Sequence, residues 1–220
     1  MDAQPFLFLD MFNPDAEVFV IFYPHGSGGR FLYSVMCLDP SIISPAGESA
    51  TFDEVKEYLS GNENAHANNT DHLNSYIPTS MPYADRYVFC VHQSTYESSS
   101  KFLKICKNLK IIIITINSFA GLHLLDDRRK FLGRNIPNEV ARATYRVAHD
   151  EMASLAQFIP FIEKQTGTVP GLTVDVKDYW NPDIAVSLLN KYFTEHNINC
   201  KNWEDLYHIW LANSITVCLK

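Results

Sequence analysis

One stretch near the amino terminus limits the possible folds of this chain more than any other. Residues 18–23 (VFVIFY) form a continuous apolar run, which is typical of a β-strand that is buried on both faces. Residues 24–29 (PHGSGG) follow, and their glycines permit a tight turn with positive φ angles. Residues 30–36 (RFLYSVM) then predict the first turns of a helix. A buried strand that turns through glycines into a helix predicts a parallel sheet covered by helices.

The same strand, loop and helix predict an anion site. The first amides of a helix have no partner within the helix, and the helix dipole places partial positive charge there. We therefore expect a phosphate to bind at this loop, whereas a plain turn with glycines for packing is the alternative. The predicted cradle consists of Gly26, Ser27, Gly28, Gly29, Arg30 and Phe31. The loop has no Walker A lysine, which disfavours an ordinary ATPase or GTPase.

Strand and helix patterns alternate along the rest of the chain. Further strands are predicted at residues 87–92, 110–116 and 172–176. Helices are predicted at residues 30–38, 52–59, 101–107, 137–165, 182–195 and 203–213, and residues 5–12 are expected to form an edge strand or to pack on the core. This alternation predicts an α/β fold with a doubly wound, mainly parallel sheet flanked by helices. No linker or repeat divides the chain, so we expect a single domain over residues 1–220.

Polar residues stand where two of these strands end. His92 ends the second strand, and Asn117 and Ser118 follow the third. Because ligands bind beyond the carboxyl ends of strands in open parallel sheets, we expect all three near the glycine loop. His92 would then act as a general base, although a satisfied histidine at a strand end explains the position equally well. Asn117 and Ser118 would donate hydrogen bonds to the same ligand, and Ser118 would also cap the next helix.

Composition excludes several classes of partner. The formal net charge of −7 argues against a nucleic-acid partner, which needs a basic surface. No apolar run is long enough to cross a membrane and no secretory signal is evident, so we expect no membrane partner and a cytoplasmic location. The five cysteines are widely spaced without a Cys-x-x-Cys pair, which supports neither a metal site nor a disulfide framework.

The glycine loop resembles the phosphosulfate loop of the sulfotransferase branch of the P-loop fold. Tyr23 and Pro24 precede Ser27-Gly28-Gly29-Arg30-Phe31-Leu32, which is similar to that family's Ser-Gly-Thr-Thr-Trp-Leu and Ser-Gly-Ser-Ser-Phe-Leu loops. The strand that ends in His92 is similar to the family strand that ends in the catalytic histidine. Residues 173–193 resemble the family's late strand and helix, and the Ser-Gly-Gly-x-Phe-Leu variant looks like that of small phage-borne members.

The resemblance implies transfer of a sulfuryl group from 3′-phosphoadenosine 5′-phosphosulfate to a hydroxyl or amine of a small-molecule or glycan acceptor. It implies that His92 is the catalytic base and that Arg30 or His25 stabilises the charge on the departing phosphate. It also implies that residues 25–31, with Asn117 and Ser118, bind this donor. A phage-borne protein of this kind would act in the host cytoplasm.

Two departures from the family pattern keep other functions open. The basic residue that precedes Ser-Gly in the family is replaced by Gly26, and the arginine after the third strand is replaced by Asn117. These replacements favour a second hypothesis, in which the chain is a degenerate P-loop binding or virion-associated module without catalysis. A small nucleotide-dependent kinase is a third hypothesis, which ranks lower because the loop lacks its lysine.

Overall fold

A computed structural model describes residues 12–24, 26–44, 50–60, 83–92, 103–118, 120–125, 160, 162–164 and 166–218. Several predictions lie wholly or largely outside the described residues: the segment at 5–12, the helix at 137–165 and the role of His25. No helix in the described part of the chain is both long and apolar enough to cross a membrane.

Four parallel strands form the sheet within the described ranges. They are β1 (Glu17–Tyr23), β2 (Arg86–His92), β3 (Asn108–Thr115) and β4 (Leu172–Asp175). Their order across the sheet is β2-β1-β3-β4, so the strand before the glycine loop lies between two neighbours. Every pair is parallel, which confirms the prediction of an α/β fold with a parallel sheet.

Five helices with defined bounds accompany the sheet. They are α1 (Gly29–Met36), α2 (Phe52–Ser60), α3 (Val176–Tyr179), α4 (Pro182–Glu195) and α5 (Trp203–Cys218). The start of α2 is a capping box: the Thr51 hydroxyl and N–H both donate to Glu54 Oε2, at 2.7 and 2.8 Å. The predicted helix at 182–195 is confirmed, and the last predicted helix is longer than expected.

Two predicted boundaries are wrong. Val176 was expected in the last strand, but it begins α3 because the Asp175 side chain caps that helix by accepting from the Lys177 N–H at 2.9 Å. The expected helix at 101–107 is described only from residue 103, which is helical, but it ends earlier than predicted because residues 104–107 are not helical before β3 begins. Leu103 and Cys106 are both buried under the sheet, and this contact holds the segment close to the strand that follows.

The two faces of the sheet are covered by different parts of the chain. Alternate β1 residues, including Phe19 and Ile21, pack with α1, α4 and α5 in one hydrophobic cluster. The intervening residues Val18 and Val20 belong to a second cluster, which residues 103–106 and the helical residues 162–164 join. Full burial of a Val, Ile or Phe side chain contributes about 1.5–3 kcal/mol, so the strands are a firm support for the loops at their ends.

Candidate functional site

The glycine loop lies where the chain changes direction across the sheet. After β1 the chain passes through α1 to reach β2 on one side, whereas β3 and β4 lie on the other side. The carboxyl ends of the paired strands β1 and β3 therefore mark the point where the strand order reverses. Ligands of open α/β sheets bind at such switch points. Residues 24 and 26–28 follow β1, and residues 116–118 follow β3, at this edge of the sheet.

The backbone of the loop is shaped to present N–H groups. Gly26 and Gly28 have φ angles of 85° and 97°, in the left-handed region that favours glycine. Gly28 is the N-cap of α1, and no described side chain caps the first turn of this helix. A left-handed residue followed by right-handed ones turns successive N–H groups toward one side, which forms a concave anion site. The loop therefore has the backbone geometry that a phosphate needs.

Three side chains from the last third of the chain hold the loop from behind. These are Tyr179, Trp180 and Trp210, which we call the aromatic bracket. Trp180 Nε1 donates to the Ser27 carbonyl oxygen at 3.2 Å, and the Tyr179 hydroxyl donates to the Gly28 carbonyl oxygen at 3.3 Å. The Trp210 ring packs so closely that a Cβ built on Gly28 would lie 2.2 Å from its Cζ2.

The second glycine of the pair is equally restricted. A Cβ on Gly29 would lie 2.1 Å from Cγ of the Tyr23 ring, a distance that no side chain adopts without a shift of its neighbour. Gly29 is thus required because β1 and α1 approach each other closely, whereas Gly28 is required because of the Trp210 ring and its own φ angle. The two glycines seat the loop tightly between β1 and the aromatic bracket.

Ser27 is the most informative residue of the loop. It is 0% exposed, and its hydroxyl has no hydrogen-bond partner among the described residues. Its backbone is bonded, because its N–H donates to the Pro24 carbonyl oxygen at 3.1 Å and its carbonyl oxygen accepts from Trp180. A buried hydroxyl without a partner costs about 1–3 kcal/mol and calls for an explanation, such as a water or ion that completes its bonding. The Tyr192 hydroxyl, beside Gly171, is also buried without a partner among the described residues.

Arg30 is held beside the loop by Tyr23. Burial raises the pKa of the Tyr23 phenol well above its ordinary value and Cys90 adds to this effect, whereas the charge and a side-chain hydrogen bond of Arg30 oppose it. Arg30 therefore lies close to the Tyr23 hydroxyl, at the carboxyl end of β1. The cation that the sequence predicts at this loop is present there and half-buried.

Asn117 and Ser118 follow β3 as predicted, but their polar groups bond to the protein itself. One Asp175 oxygen accepts from the Asn117 N–H, and the other accepts from the Ser118 hydroxyl at 3.0 Å. Ser118 Oγ also accepts from the Gly121 N–H at 3.0 Å, which confirms that it caps the helical residues 120–125. The role of these two residues as ligand donors stays a prediction.

The backbone of His92 lies at the same edge of the sheet. His92 is the last residue of β2, and it is paired in register with Tyr23, the last residue of β1. The start of the glycine loop is thus one residue away on the neighbouring strand. The imidazole of His92 lies outside the described part of the chain, so its role as a base stays a prediction.

The sequence analysis missed Asp175 and the aromatic bracket. Asp175 did carry a signal, since an Asp directly before helix-forming residues is typical of an N-cap, but the apolar run around it resembles a strand. The bracket had no local signal, because Trp180 is 153 residues from the Ser27 carbonyl that it binds. No family model, curated protein or solved structure matches this chain.

Proposed function

We propose that the glycine loop binds the phosphosulfate end of a nucleotide and that the protein transfers a sulfuryl group from 3′-phosphoadenosine 5′-phosphosulfate to an acceptor hydroxyl or amine. The observation that carries the proposal is the buried Ser27 hydroxyl without a described partner, which directly precedes the left-handed Gly28 and the start of α1, where no side chain caps the helix. A phosphate oxygen supplies the acceptor that this hydroxyl and the neighbouring N–H groups lack.

The charge around the loop favours an anionic ligand. The first turn of α1 has no acidic side chain, and its dipole adds partial positive charge at the loop. Arg30 brings a full positive charge to the end of β1. The loop has no lysine of the kind that binds the terminal phosphates of a magnesium nucleotide, which disfavours a nucleoside triphosphate.

The proposed reaction needs a base, an electrophile and a stabilised leaving group. His92 takes the proton of the acceptor hydroxyl while the acceptor oxygen forms a bond to sulfur. The bond between sulfur and the bridging oxygen of the 5′-phosphate breaks, and 3′-phosphoadenosine 5′-phosphate leaves with the electron pair. The N–H groups of the loop and Arg30 stabilise the negative charge that develops on this phosphate. The pairing of His92 with Tyr23 in the sheet supports this assignment.

A second candidate is a phosphate-binding module without catalysis. Asp175 engages the Asn117 N–H and the Ser118 hydroxyl, and these residues stand where the resemblance implies contacts to the 3′-phosphate of the donor. A carboxylate beside that position repels a phosphate rather than attracting it. This observation favours a ligand that has one phosphate group at the loop and no 3′-phosphate.

Sulfuryl transfer and ligand binding, measured side by side, test the proposal. We expect the wild type to transfer sulfate from the donor to members of a panel of phenols, amines and sugars. We expect His92→Ala to reduce kcat by about 10²–10⁴-fold with unchanged calorimetric affinity for 3′-phosphoadenosine 5′-phosphate. His208→Ala is the matched control, because His208 is exposed on α5.

The possible outcomes separate the two candidates. Binding without transfer in the wild type supports the non-catalytic module. Full turnover in His92→Ala rejects the assignment of the base. Absence of transfer in the wild type, together with absence of binding to both 3′-phosphoadenosine 5′-phosphate and inorganic phosphate, rejects both candidates.

A further inference from the structure

We propose that the aromatic bracket orients the anion-binding amides of the glycine loop, with Tyr179 and Trp180 as positioning residues. The inference rests on the proposed function and adds to it two residues that do not touch the ligand. It assigns to the short helix α3, at the end of β4, a role in the affinity of a site on the other side of β3.

The orientation follows from the geometry of the peptide bond. In a planar trans peptide, the carbonyl of one residue and the N–H of the next point in opposite directions. Trp180 Nε1 holds the Ser27 carbonyl, so the N–H of Gly28 points away from the bracket. The Gly28 carbonyl accepts from the Leu32 N–H of α1 and from the Tyr179 hydroxyl, each at 3.3 Å, so the N–H of Gly29 is also directed away from the bracket. The N–H groups of Gly28 and Gly29 are therefore oriented by hydrogen bonds to the carbonyls on the opposite side of the loop.

The bracket is itself rigid. Its three side chains are all buried, with Tyr179 at 0% exposure, so solvent does not replace their hydrogen bonds readily. Trp210 stacks on Phe31 of α1 with ring centroids 4.9 Å apart and also meets the edge of Trp180 at 5.7 Å. The Tyr207 hydroxyl donates to the Tyr179 carbonyl oxygen at 2.7 Å, which ties α3 to α5.

The bracket is also tied to the exit of β3. Asp175 caps α3 and at the same time accepts from the Ser118 hydroxyl. A Cβ on Gly121 would lie 2.8 Å from Asp175 Oδ1, so the chain after β3 packs directly against this carboxylate. The segment from Asp175 to Trp180 therefore contacts both the exit of β3, at Ser118, and the glycine loop, at Ser27.

Removal of a single hydroxyl tests the inference. Tyr179→Phe keeps the ring and deletes the donor to Gly28, whereas Tyr87→Phe deletes a buried hydroxyl that bonds to the Ala84 N–H at 2.8 Å, near the amino end of β2. The probes are 3′-phosphoadenosine 5′-phosphate and inorganic phosphate, titrated by calorimetry, with urea unfolding of each variant. We expect similar small losses of stability in both variants and about three- to tenfold weaker binding in Tyr179→Phe alone.

Trp180→Phe and amide spectra provide a second readout. Trp180→Phe deletes the donor to Ser27 and should weaken binding in the same direction. The amide ¹H–¹⁵N resonances of Gly28 and Gly29 in the unliganded protein should shift in Tyr179→Phe and stay in place in Tyr87→Phe. If Trp180→Phe does not fold, Tyr179→Phe decides the question alone.

The contrary results are distinct from one another. Wild-type affinity in Tyr179→Phe overturns the positioning role and leaves the proposed function intact. Equal losses of affinity in Tyr179→Phe and Tyr87→Phe overturn it as well, because they show a general effect of destabilisation. A wild type that binds neither probe overturns the proposed function and this inference together.

Discussion

Buried polar groups occur at both ends of the sheet, and the cluster around Arg86 at the amino end differs in its hydrogen bonding from Ser27 at the carboxyl end. At the amino end, Arg86 donates to Glu17 Oε2 and to Ser41 Oγ, each at 2.9 Å, and to the His196 carbonyl oxygen at 2.7 Å. The Arg86 cluster, which consists of these residues with Asp39, joins β1 and β2 to the turns that follow α1 and α4. At the carboxyl end, the Ser27 hydroxyl has no described partner although it is fully buried.

The difference separates a structural polar cluster from a candidate ligand site. A buried network whose donors and acceptors are paired adds rigidity, whereas an unpaired group lowers the stability of the free protein. In the Arg86 cluster, the Asp39 carboxylate accepts two backbone hydrogen bonds, from the Ser41 N–H at 2.8 Å and from the Asn199 N–H at 2.7 Å. The glycine loop instead combines secured carbonyls with an unpaired hydroxyl, which is the pattern expected where a ligand completes the bonding.

The largest expected effect is that of Gly28→Ala. The new Cβ meets the Trp210 ring and requires a left-handed φ, so we expect a loss of about 4 kcal/mol in the free energy of unfolding. Gly167→Ala is the control, because Gly167 has a φ of 67° but no atom within 4 Å of the added Cβ, and should cost roughly 1–2 kcal/mol. Urea unfolding measures both, and equal losses would show that Trp210 does not restrict the loop.

Removal of the Arg86 charge should destabilise the cluster at the amino end of the sheet. We expect Arg86→Met to cost about 3 kcal/mol, because Glu17 and Asp39 lose their partner in a largely buried setting. Lys107→Met is the matched control, since Lys107 pairs with Asp15 on the exposed surface, and should cost less than about 1 kcal/mol. Affinity for 3′-phosphoadenosine 5′-phosphate should not change in the folded fraction of either variant. A reduced affinity in Arg86→Met would contradict the separation of the two ends.

Two serine substitutions should change stability in opposite directions. Ser27→Ala removes a buried hydroxyl without a described partner, so the free energy of unfolding should stay constant or rise by up to about 1 kcal/mol while phosphate affinity falls. Ser41→Ala removes a hydroxyl that donates to Asp39 Oδ1 at 2.6 Å and accepts from Arg86, and it should cost about 1–2 kcal/mol with unchanged affinity. Destabilisation by Ser27→Ala would mean that the free protein already uses this hydroxyl.

The smallest effect concerns pH and the Asp39 carboxyl. Burial alone would raise the pKa of this group, but hydrogen bonds from Ser41 and Asn199, together with the charge of Arg86, hold the pKa below its ordinary value. Because the folded pKa is the lower one, the stabilisation is present above the unfolded pKa of about 4 and is lost as the pH falls through the folded value. Asp39→Asn should flatten this acid dependence in urea unfolding between pH 5 and 2, and an unchanged slope would assign it to another carboxyl.

The sequence predicts the strands well because their signals are local. The predictions at residues 18–23 and 110–116 rest on uninterrupted apolar runs, at 18–23 and 111–114, and both form central strands with only small shifts of their ends. The capping box at Thr51 and Glu54 is another local signal, and the structure contains it. The position of β1 between β2 and β3 had no such signal, because strand order depends on contacts between distant segments.

The candidate site is predictable only in part, for the same reason. The glycines predict the tight turn of the loop, but their close contacts with Trp210 and Tyr23 depend on how α5 and β1 pack. Ser118 was expected to face a ligand, but Asp175, 57 residues later in the chain, accepts its hydroxyl. The competition between ligand and protein for one polar group is decided by tertiary structure, which the local pattern does not encode.

The most direct test of the central claim is thermal unfolding with 3′-phosphoadenosine 5′-phosphate and, separately, with magnesium ATP. At a ligand concentration about 100 times the Kd, binding stabilises the folded state by about 2.7 kcal/mol, which raises the Tm by roughly 5–10 °C for a chain of this size. We expect this shift with 3′-phosphoadenosine 5′-phosphate and no shift with magnesium ATP. In Ser27→Ala we expect a smaller shift with the first of these ligands. An unchanged Tm with both ligands would contradict a nucleotide site at the glycine loop.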